Sequence, residues 1–129
     1  MIAFPIYMEH SLEHLKEWEI VLKELHRICK KGAIVHIKVP HLSCWLAHPY
    51  HRRGFGKGLF YFFNKYNNLS YKVVQIRLNW HKEPKNIFLS FLNKIVNFFG
   101  NISIAFTERI WCYWVGGFEE IEFVAIVVK

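Results

Sequence analysis

The chain has 129 residues, of which 53% are hydrophobic and 18% are aromatic. This composition is sufficient for one hydrophobic core and excludes an intrinsically disordered chain. A formal net charge of +7 favours anionic partners, such as nucleic acid, an anionic membrane surface or a negatively charged substrate. Three cysteines, Cys29, Cys44 and Cys112, form an odd and sparse set that is not typical of a disulfide framework. We therefore expect a cytoplasmic protein of at most one domain.

The first 39 residues have the pattern of a strand, a helix and a strand. Residues 2–8 are apolar apart from Pro5 and predict a buried strand, although proline cannot donate a hydrogen bond within a sheet. Apolar side chains recur at helical spacing from residue 15, which predicts an amphipathic helix that ends at Lys30, Lys31 and Gly32. Residues 33–39 predict the second strand.

The rest of the chain predicts a long loop over residues 41–53, a short helix over 58–65 and a strand over 71–78. In that strand, Val73, Gln75 and Arg77 alternate with Val74, Ile76 and Leu78. A second long helix follows Pro84, and its apolar residues cover most of its circumference, so we expect it to be buried on more than one side. A short helix over 106–113 and a last strand over 119–128 complete the pattern.

This order of elements is that of a βαβ unit followed by two strands that can lie antiparallel. It predicts an α/β fold that forms part of a doubly wound sheet. No signal peptide or transmembrane segment is predicted, because the N-terminus lacks a basic flank and the apolar run at residues 87–99 is short and contains Asn93, Lys94 and Asn97.

Histidines are concentrated in the predicted loop. His41, Cys44, His48 and His51 are four potential metal ligands, but their spacing does not match known structural zinc sites, and we predict no metal site. The glycine-rich residues 54–58 resemble a phosphate-binding loop, yet no hydrophobic strand directly precedes them, so a flexible connection is the favoured interpretation.

A second cluster of titratable residues follows the first predicted strand, namely Glu9, His10, Glu13 and His14. Ligands of open α/β sheets bind at the carboxyl ends of the strands, which makes this position a candidate site. His10 or His14 could act as a general base there. A role in capping the start of the following helix is the alternative.

Several motifs, in this order along the chain, resemble those of the class I S-adenosylmethionine-dependent methyltransferases that act on small molecules. They are Glu13-His14-Leu15, Lys31-Gly32-Ala33 and Val39-Pro40-His41. Residues 47–51, continuing to Phe55, are similar to the Asp-Pro-x-His-x-x-x-Phe loop of many members, with His48 in place of the usual acid. Glu108-Arg109-Ile110 and the last strand are similar to the tail of the family.

The resemblance implies a partial Rossmann-like methyltransferase sheet in which residues 1–129 form a single partial domain. It corresponds to the C-terminal half of a family domain, truncated so that the N-terminal strands and glycine-rich loop that hold the cofactor have no match here. S-adenosylmethionine is the implied cofactor, flanked by Met8, Glu9 and His10. The small-molecule methyl acceptor would be bordered by His14, His41, His48 and His51. A homodimer or a complementing chain is the implied protein partner.

The alternative function is a non-catalytic basic module that binds nucleic acid or another anion. Nucleic acid is the less favoured partner, because lysines and arginines are scattered along the chain and cluster only at Lys30-Lys31 and at His51-Arg52-Arg53.

Overall fold

The computed structural model describes all 129 residues, which form an α/β fold on one four-stranded sheet. Its strands are β1 (Ile6–Glu9), β2 (Ile34–Pro40), β3 (Ser70–Asn79) and β4 (Glu120–Val128). They lie in the order β1-β2-β4-β3. β1 and β2 are parallel, whereas β4 runs antiparallel to both of its neighbours. The predicted βαβ unit and the antiparallel pair of terminal strands are therefore confirmed.

The helices are α1 (Trp18–Ile28), α2 (Leu59–Asn67), α3 (Ile87–Ile102) and α4 (Ile104–Trp114). α1 is shorter than predicted, because Cys29 already has an extended backbone. The backbone N–H of Ala33 donates to the carbonyl of Lys30 and closes a turn into β2. Gly32 occupies the left-handed region of this turn at φ 85°, a conformation that glycine adopts without steric cost.

The core lies on one face of the sheet, where α1 and α2 cover it. Val35, Ile37 and Val39 alternate along β2 and are fully buried, as a half-covered strand requires. Aromatic rings from α2 pack on this face, with Phe60 against Phe123 and Phe63 against Tyr71. The hydroxyl of the buried Tyr71 donates to the carbonyl of Leu22 in α1 at 2.7 Å, which satisfies it and ties the helix to the sheet.

Two strands differ from their predictions. β1 begins at Ile6, while Ile2 pairs separately with Cys29 beyond the end of α1. The missing N–H of Pro5 accounts for the interruption. In β3 the pairing register shifts between Val73 and Gln75, so Val74 is 51% exposed and does not share a face with Ile76 and Leu78. This β-bulge breaks the regular alternation that the sequence predicts.

The orientation of α3 contradicts the expectation that it is buried on more than one side. Its asparagines face β3 and the residues that follow it: Asn101 accepts from the N–H of Leu78, and Asn97 accepts from that of Trp80. Asn93 bonds the backbone of His81 in the same way. The apolar side of the helix is consequently turned outward, and Ile87 is 90% exposed. Since an edge strand has unpaired backbone groups, a ladder of amides can hold a helix against it, and here Val96 adds apolar contact with the core.

No single helix is both long and apolar enough to cross a membrane. α3 and α4 together satisfy the criteria of length and composition, but they meet at a bend of 98°.

Candidate functional site

A cavity of about 440 Å³ lies where β1 and β2 end at their carboxyl termini. The residues that line it come from the turn after β1, the end of β2, the following loop and the segment before β4. They are His10, His14, Pro40, Cys44, Ala47, His48, His51, Lys82 and Glu119. Its volume falls in the range of small-molecule sites, and its position is the one where open α/β sheets bind ligands.

His10 is held at the edge of the cavity in an unusual backbone conformation. Its φ is 46°, a left-handed value that is uncommon outside glycine and costs free energy unless the surroundings compensate. Its N–H donates to the carbonyl of Lys38 at 2.9 Å, and its Nε2 donates to Glu120 Oε2 at 2.6 Å. The bond to Glu120, supported by a weaker contact with Glu13, raises the pKa of His10 to about 9. His10 is therefore a cation at neutral pH.

Glu120, at the start of β4, is the partner that holds this charge. Its side chain is almost fully buried, and Asn79 donates a second hydrogen bond to it at 2.8 Å. Burial alone would raise the pKa of this carboxyl, but the bonds from His10 and Asn79 outweigh it and leave the pKa below its usual value. Glu120 and His10 thus form a saturated ion pair.

Glu13 lies behind the cavity in a short 3₁₀ turn, Leu12–His14. Its side chain is 0% exposed, and neither carboxylate oxygen has a hydrogen-bond partner. The nearest nitrogen, His10 Nδ1, lies 3.5 Å from Oε1, which is longer than an ordinary hydrogen bond. Burial tends to raise the pKa of this carboxyl, but the proximity of the His10 cation and the backbone N–H of Glu13 shift it below its usual value. Glu13 is therefore a buried carboxylate.

Two imidazoles separate Glu13 from the cavity. His14 Nε2 lies 3.6 Å and His51 Nε2 3.8 Å from Glu13 Oε1. The loop that carries His51 is fastened here because the N–H of Arg52 donates to the carbonyl of Glu13 at 2.9 Å. Burial lowers the pKa of His51, and the negative charge of Glu13 only partly offsets this effect.

His48 forms the outer layer of this cluster. Its ring stacks on that of His51, with centroids 4.4 Å apart and planes inclined by 20°. The N–H of Tyr50 donates to His48 Nδ1 at 3.3 Å, so the proton of the neutral ring lies on Nε2. His48 is exposed and lines the cavity.

His41 does not line the cavity, in contrast to the sequence-based prediction. It is fully buried, with Nδ1 2.7 Å from Ser43 Oγ and Nε2 3.3 Å from Glu108 Oε1. The same Glu108 oxygen accepts the N–H of Lys57 at 2.6 Å. These contacts join α4 to the loop after β2. His41 is therefore part of the interior of the fold.

The glycine-rich residues 54–58 owe their composition to packing. A Cβ at Gly54 would lie 2.5 Å from the ring of Trp45, and one at Gly56 would lie 2.6 Å from Leu42. Side chains at these positions would therefore clash with the loop after β2. This observation agrees with the interpretation that the segment is a connection and not a phosphate-binding loop.

The structure separates the residues predicted to flank the cofactor. His10 lines the cavity, whereas Met8 packs against the core and Glu9 forms an ion pair with Lys38 at 3.1 Å. Of the predicted acceptor residues, His14, His48 and His51 come together at the cavity. The potential ligands His41, Cys44, His48 and His51 do not form one set, because the ring of His41 contacts Ser43 and Glu108.

Sequence reasoning missed Glu120, Lys82 and Glu119. Glu120 and Glu119 begin a predicted strand, and nothing in their local pattern indicates that they reach residues near position 10. Glu119 accepts hydrogen bonds from the N–H of Lys82 and from His81 Nδ1, both at 3.0 Å, which brings the segment after β3 to the cavity. Only the antiparallel pairing of β3 with β4 creates this proximity.

A larger groove of about 610 Å³ runs between β3 and α3, lined in part by Arg77, Lys94, Asn97 and Asn101. The amide oxygens of Asn97 and Asn101 already accept backbone N–H groups after and within β3. The groove therefore lacks the convergent titratable groups of the cavity at the end of β1 and β2.

No family model and no curated protein sequence matches this chain. The structure is similar to the crystal structure of a SAM dependent methyltransferase from Archaeoglobus fulgidus, with a TM-score of 0.50 and 13% sequence identity. The similarity covers 95% of this chain and 58% of that chain, so this chain spans a little over half the length of the methyltransferase. At such low identity the similarity shows the fold alone, which is methyltransferase-like.

Proposed function

We propose that this chain takes part in S-adenosylmethionine-dependent methyl transfer to a small-molecule acceptor. The observation that carries the proposal is the cavity at the carboxyl ends of two parallel strands, on a fold similar to that of a SAM-dependent methyltransferase. The proposal rests on fold similarity and on the chemistry of the lining, since fold alone does not imply function.

The charges around the cavity suit the zwitterionic end of S-adenosylmethionine. Lys82 is a cation that can bind its carboxylate, and Glu119, whose side chain is 41% exposed, is an anion that can bind its ammonium group. The charge of His10 is already paired with Glu120. Of the residues at the end of β1, His10 lines the cavity and would flank the cofactor, whereas Met8 packs against the core and Glu9 pairs with Lys38. When bound, the cofactor supplies an electrophilic methyl group on a sulfonium.

The acceptor would lie against His14, His48 and His51, which line the cavity together. His10 is unsuited to act as a general base at neutral pH, because the ion pair with Glu120 keeps it protonated. His14 is better placed to accept a proton. Its Nδ1 lies 3.1 Å from the carbonyl of Tyr50, so Nδ1 carries the proton of the neutral ring and Nε2 is free. A base is needed only when the acceptor atom carries a proton. Alignment of the acceptor with the methyl group contributes the remaining rate acceleration.

The experiment is a calorimetric titration of the purified 129-residue chain with S-adenosylmethionine and with S-adenosylhomocysteine. We expect saturable binding that weakens at least about tenfold in Glu119→Gln, because loss of a charge-assisted hydrogen bond costs on the order of 1.5–3 kcal/mol. Glu24→Gln is the matched control, since Glu24 is exposed on α1 and pairs only with Arg27.

Absence of heat from a sample with a folded circular dichroism spectrum would contradict cofactor binding by this chain. Salt-sensitive binding of an oligonucleotide, without binding of S-adenosylmethionine, would instead support the alternative of a basic anion-binding module.

A further inference from the structure

The unsatisfied carboxylate of Glu13 needs an explanation that the proposed methyl transfer does not supply. Buried polar groups in proteins are almost always hydrogen-bonded, and an unpaired buried charge is especially costly. Glu13 has neither oxygen bonded although its side chain is 0% exposed. The His10 cation, 3.5 Å from Oε1, offsets part of this charge without forming a hydrogen bond, and buried carboxylates with free lone pairs are otherwise found coordinated to metal ions.

The two imidazoles beside Glu13 are oriented as metal ligands are. Nδ1 of His14 lies 3.1 Å from the carbonyl of Tyr50, and Nδ1 of His51 lies 3.2 Å from the carbonyl of Trp45. Because a carbonyl only accepts, each neutral ring carries its proton on Nδ1 and leaves the lone pair of Nε2 free. Histidine ligands commonly donate their second ring N–H to a backbone carbonyl in this way, which fixes the tautomer.

The three donor atoms lie close to one another. His14 Nε2 and His51 Nε2 lie 3.6 and 3.8 Å from Glu13 Oε1, and all three ligand atoms lie within 4.8 Å of one another. A tetrahedral site with bonds of about 2.0–2.1 Å places its donor atoms about 3.4 Å apart, so small side-chain rotations complete the geometry. The bond from the N–H of Arg52 to the carbonyl of Glu13 already holds the two segments together.

We propose that Glu13, His14 and His51 bind a divalent transition-metal ion at the floor of the cavity. Two imidazoles and one carboxylate form the donor set of catalytic zinc sites and of non-haem iron sites, both of which keep coordination positions open. His14 and His51 line the cavity, so an ion beside their Nε2 atoms would lie next to the space that a small molecule would occupy. The ion would neutralise the buried carboxylate. This inference does not depend on methyl transfer, and with an ion bound His14 would be a ligand and would not accept a proton.

The test is a titration of chelator-treated protein, purified without a histidine tag, with Zn²⁺ alone. We expect one ion per chain, and at least about tenfold weaker binding in His14→Gln and in His51→Gln, since loss even of a partner that only orients a ligand typically weakens metal sites by about 10–100-fold. His36→Gln is the matched control. It removes an imidazole on β2 that pairs with Glu122 and lies outside the donor set, and its affinity should stay within about threefold of wild type.

Glu13→Gln tests the carboxylate, and the visible absorption of the Co²⁺-substituted protein reports the change in ligands. If that variant does not fold, the two histidine variants still decide the question, because the ring of His14 is exposed and that of His51 lies at the cavity surface. Substoichiometric Zn²⁺ binding would overturn the proposal. So would an affinity that His14→Gln and His51→Gln leave unchanged, or one that His36→Gln lowers equally. Since no S-adenosylmethionine is present, the result is independent of the proposed function.

Discussion

Two buried glutamates at the same edge of the sheet have opposite surroundings. Glu120 accepts hydrogen bonds from His10 and Asn79 at 2.6 and 2.8 Å, whereas the oxygens of Glu13 accept none. His10 lies between them and is bonded to Glu120 but only 3.5 Å from Glu13. Burial is therefore not what distinguishes a structural carboxylate from a candidate ligand. The distinction lies in whether its acceptor capacity is already used by the protein.

Because their carboxylates differ in hydrogen bonding, the two regions have different roles. The region of Glu120 ties the turn after β1 to the start of β4 and fixes one cationic wall of the cavity. The region of Glu13 holds a charge that the protein leaves without a hydrogen bond, beside two imidazoles with free Nε2 lone pairs. If these roles differ, the region of Glu120 should stabilise the fold without any ligand, and the region of Glu13 should stabilise it only when an ion is bound.

The largest expected effect is stabilisation by Zn²⁺ through the Glu13 region. At a free concentration of about 100 times Kd, an ion that binds only the folded state stabilises it by about 2.7 kcal/mol. Thermal unfolding should show a higher Tm for wild type and for Glu120→Gln, and a clearly smaller increase for His51→Gln, because tenfold weaker binding removes about 1.3 kcal/mol of this stabilisation. An equal increase in Tm for His51→Gln would remove the contrast between the two regions.

The second effect is the loss of stability in Glu120→Gln without metal. The change removes a charge-assisted hydrogen bond to His10 and leaves that cation poorly compensated, so we expect a decrease of about 2 kcal/mol in the free energy of unfolding at pH 6. Urea unfolding with a chelator present measures it. Glu122→Gln is a control on the same strand, since Glu122 is less buried and pairs with His36. Equal losses of stability in both variants would show that the buried pair of Glu120 and His10 stabilises the fold no more than the less buried pair of Glu122 and His36.

The third effect is the pH dependence of this pair. The pKa of His10 is about 9 in the folded protein and about 6.5 in the unfolded chain. Because the folded value is raised, its stabilising contribution is complete below pH 6.5 and is lost as the pH rises through 9. The difference in stability between wild type and Glu120→Gln should therefore lose most of its value of about 2 kcal/mol between pH 6 and pH 9.5. A constant difference over that range would mean that His10 is not held as a cation by Glu120.

The smallest effect is expected for Glu13→Gln in the absence of metal. No hydrogen bond to the carboxylate is lost, and removing a buried charge offsets the weaker attraction to His10. The free energy of unfolding should stay within about 1 kcal/mol of wild type, because the desolvation cost of a buried amide replaces that of the buried carboxylate. Urea unfolding in the presence of chelator is the measurement. A loss as large as that of Glu120→Gln would show that Glu13 is also a structural carboxylate.

Most secondary structure follows from local pattern, and the misplaced details have identifiable causes. The alternation of Val35, Ile37 and Val39 predicts β2 because it depends only on neighbouring residues. The bulge at Val74 depends on how β3 meets β4, which no local pattern contains. The outward apolar side of α3 was also missed, because its asparagines bind the backbone of another element.

For the site, the sequence by itself determined the α/β class, the position of a histidine-rich loop after β2 and a titratable turn after β1. Only the tertiary structure decided which of these residues meet: it buried His41 against Glu108, and it brought His51 to Glu13 through the hydrogen bond of Arg52. Local periodicity reports on contacts between near neighbours in the chain. The hydrogen-bond state of a buried carboxylate depends on groups from distant segments, and folding alone brings them together.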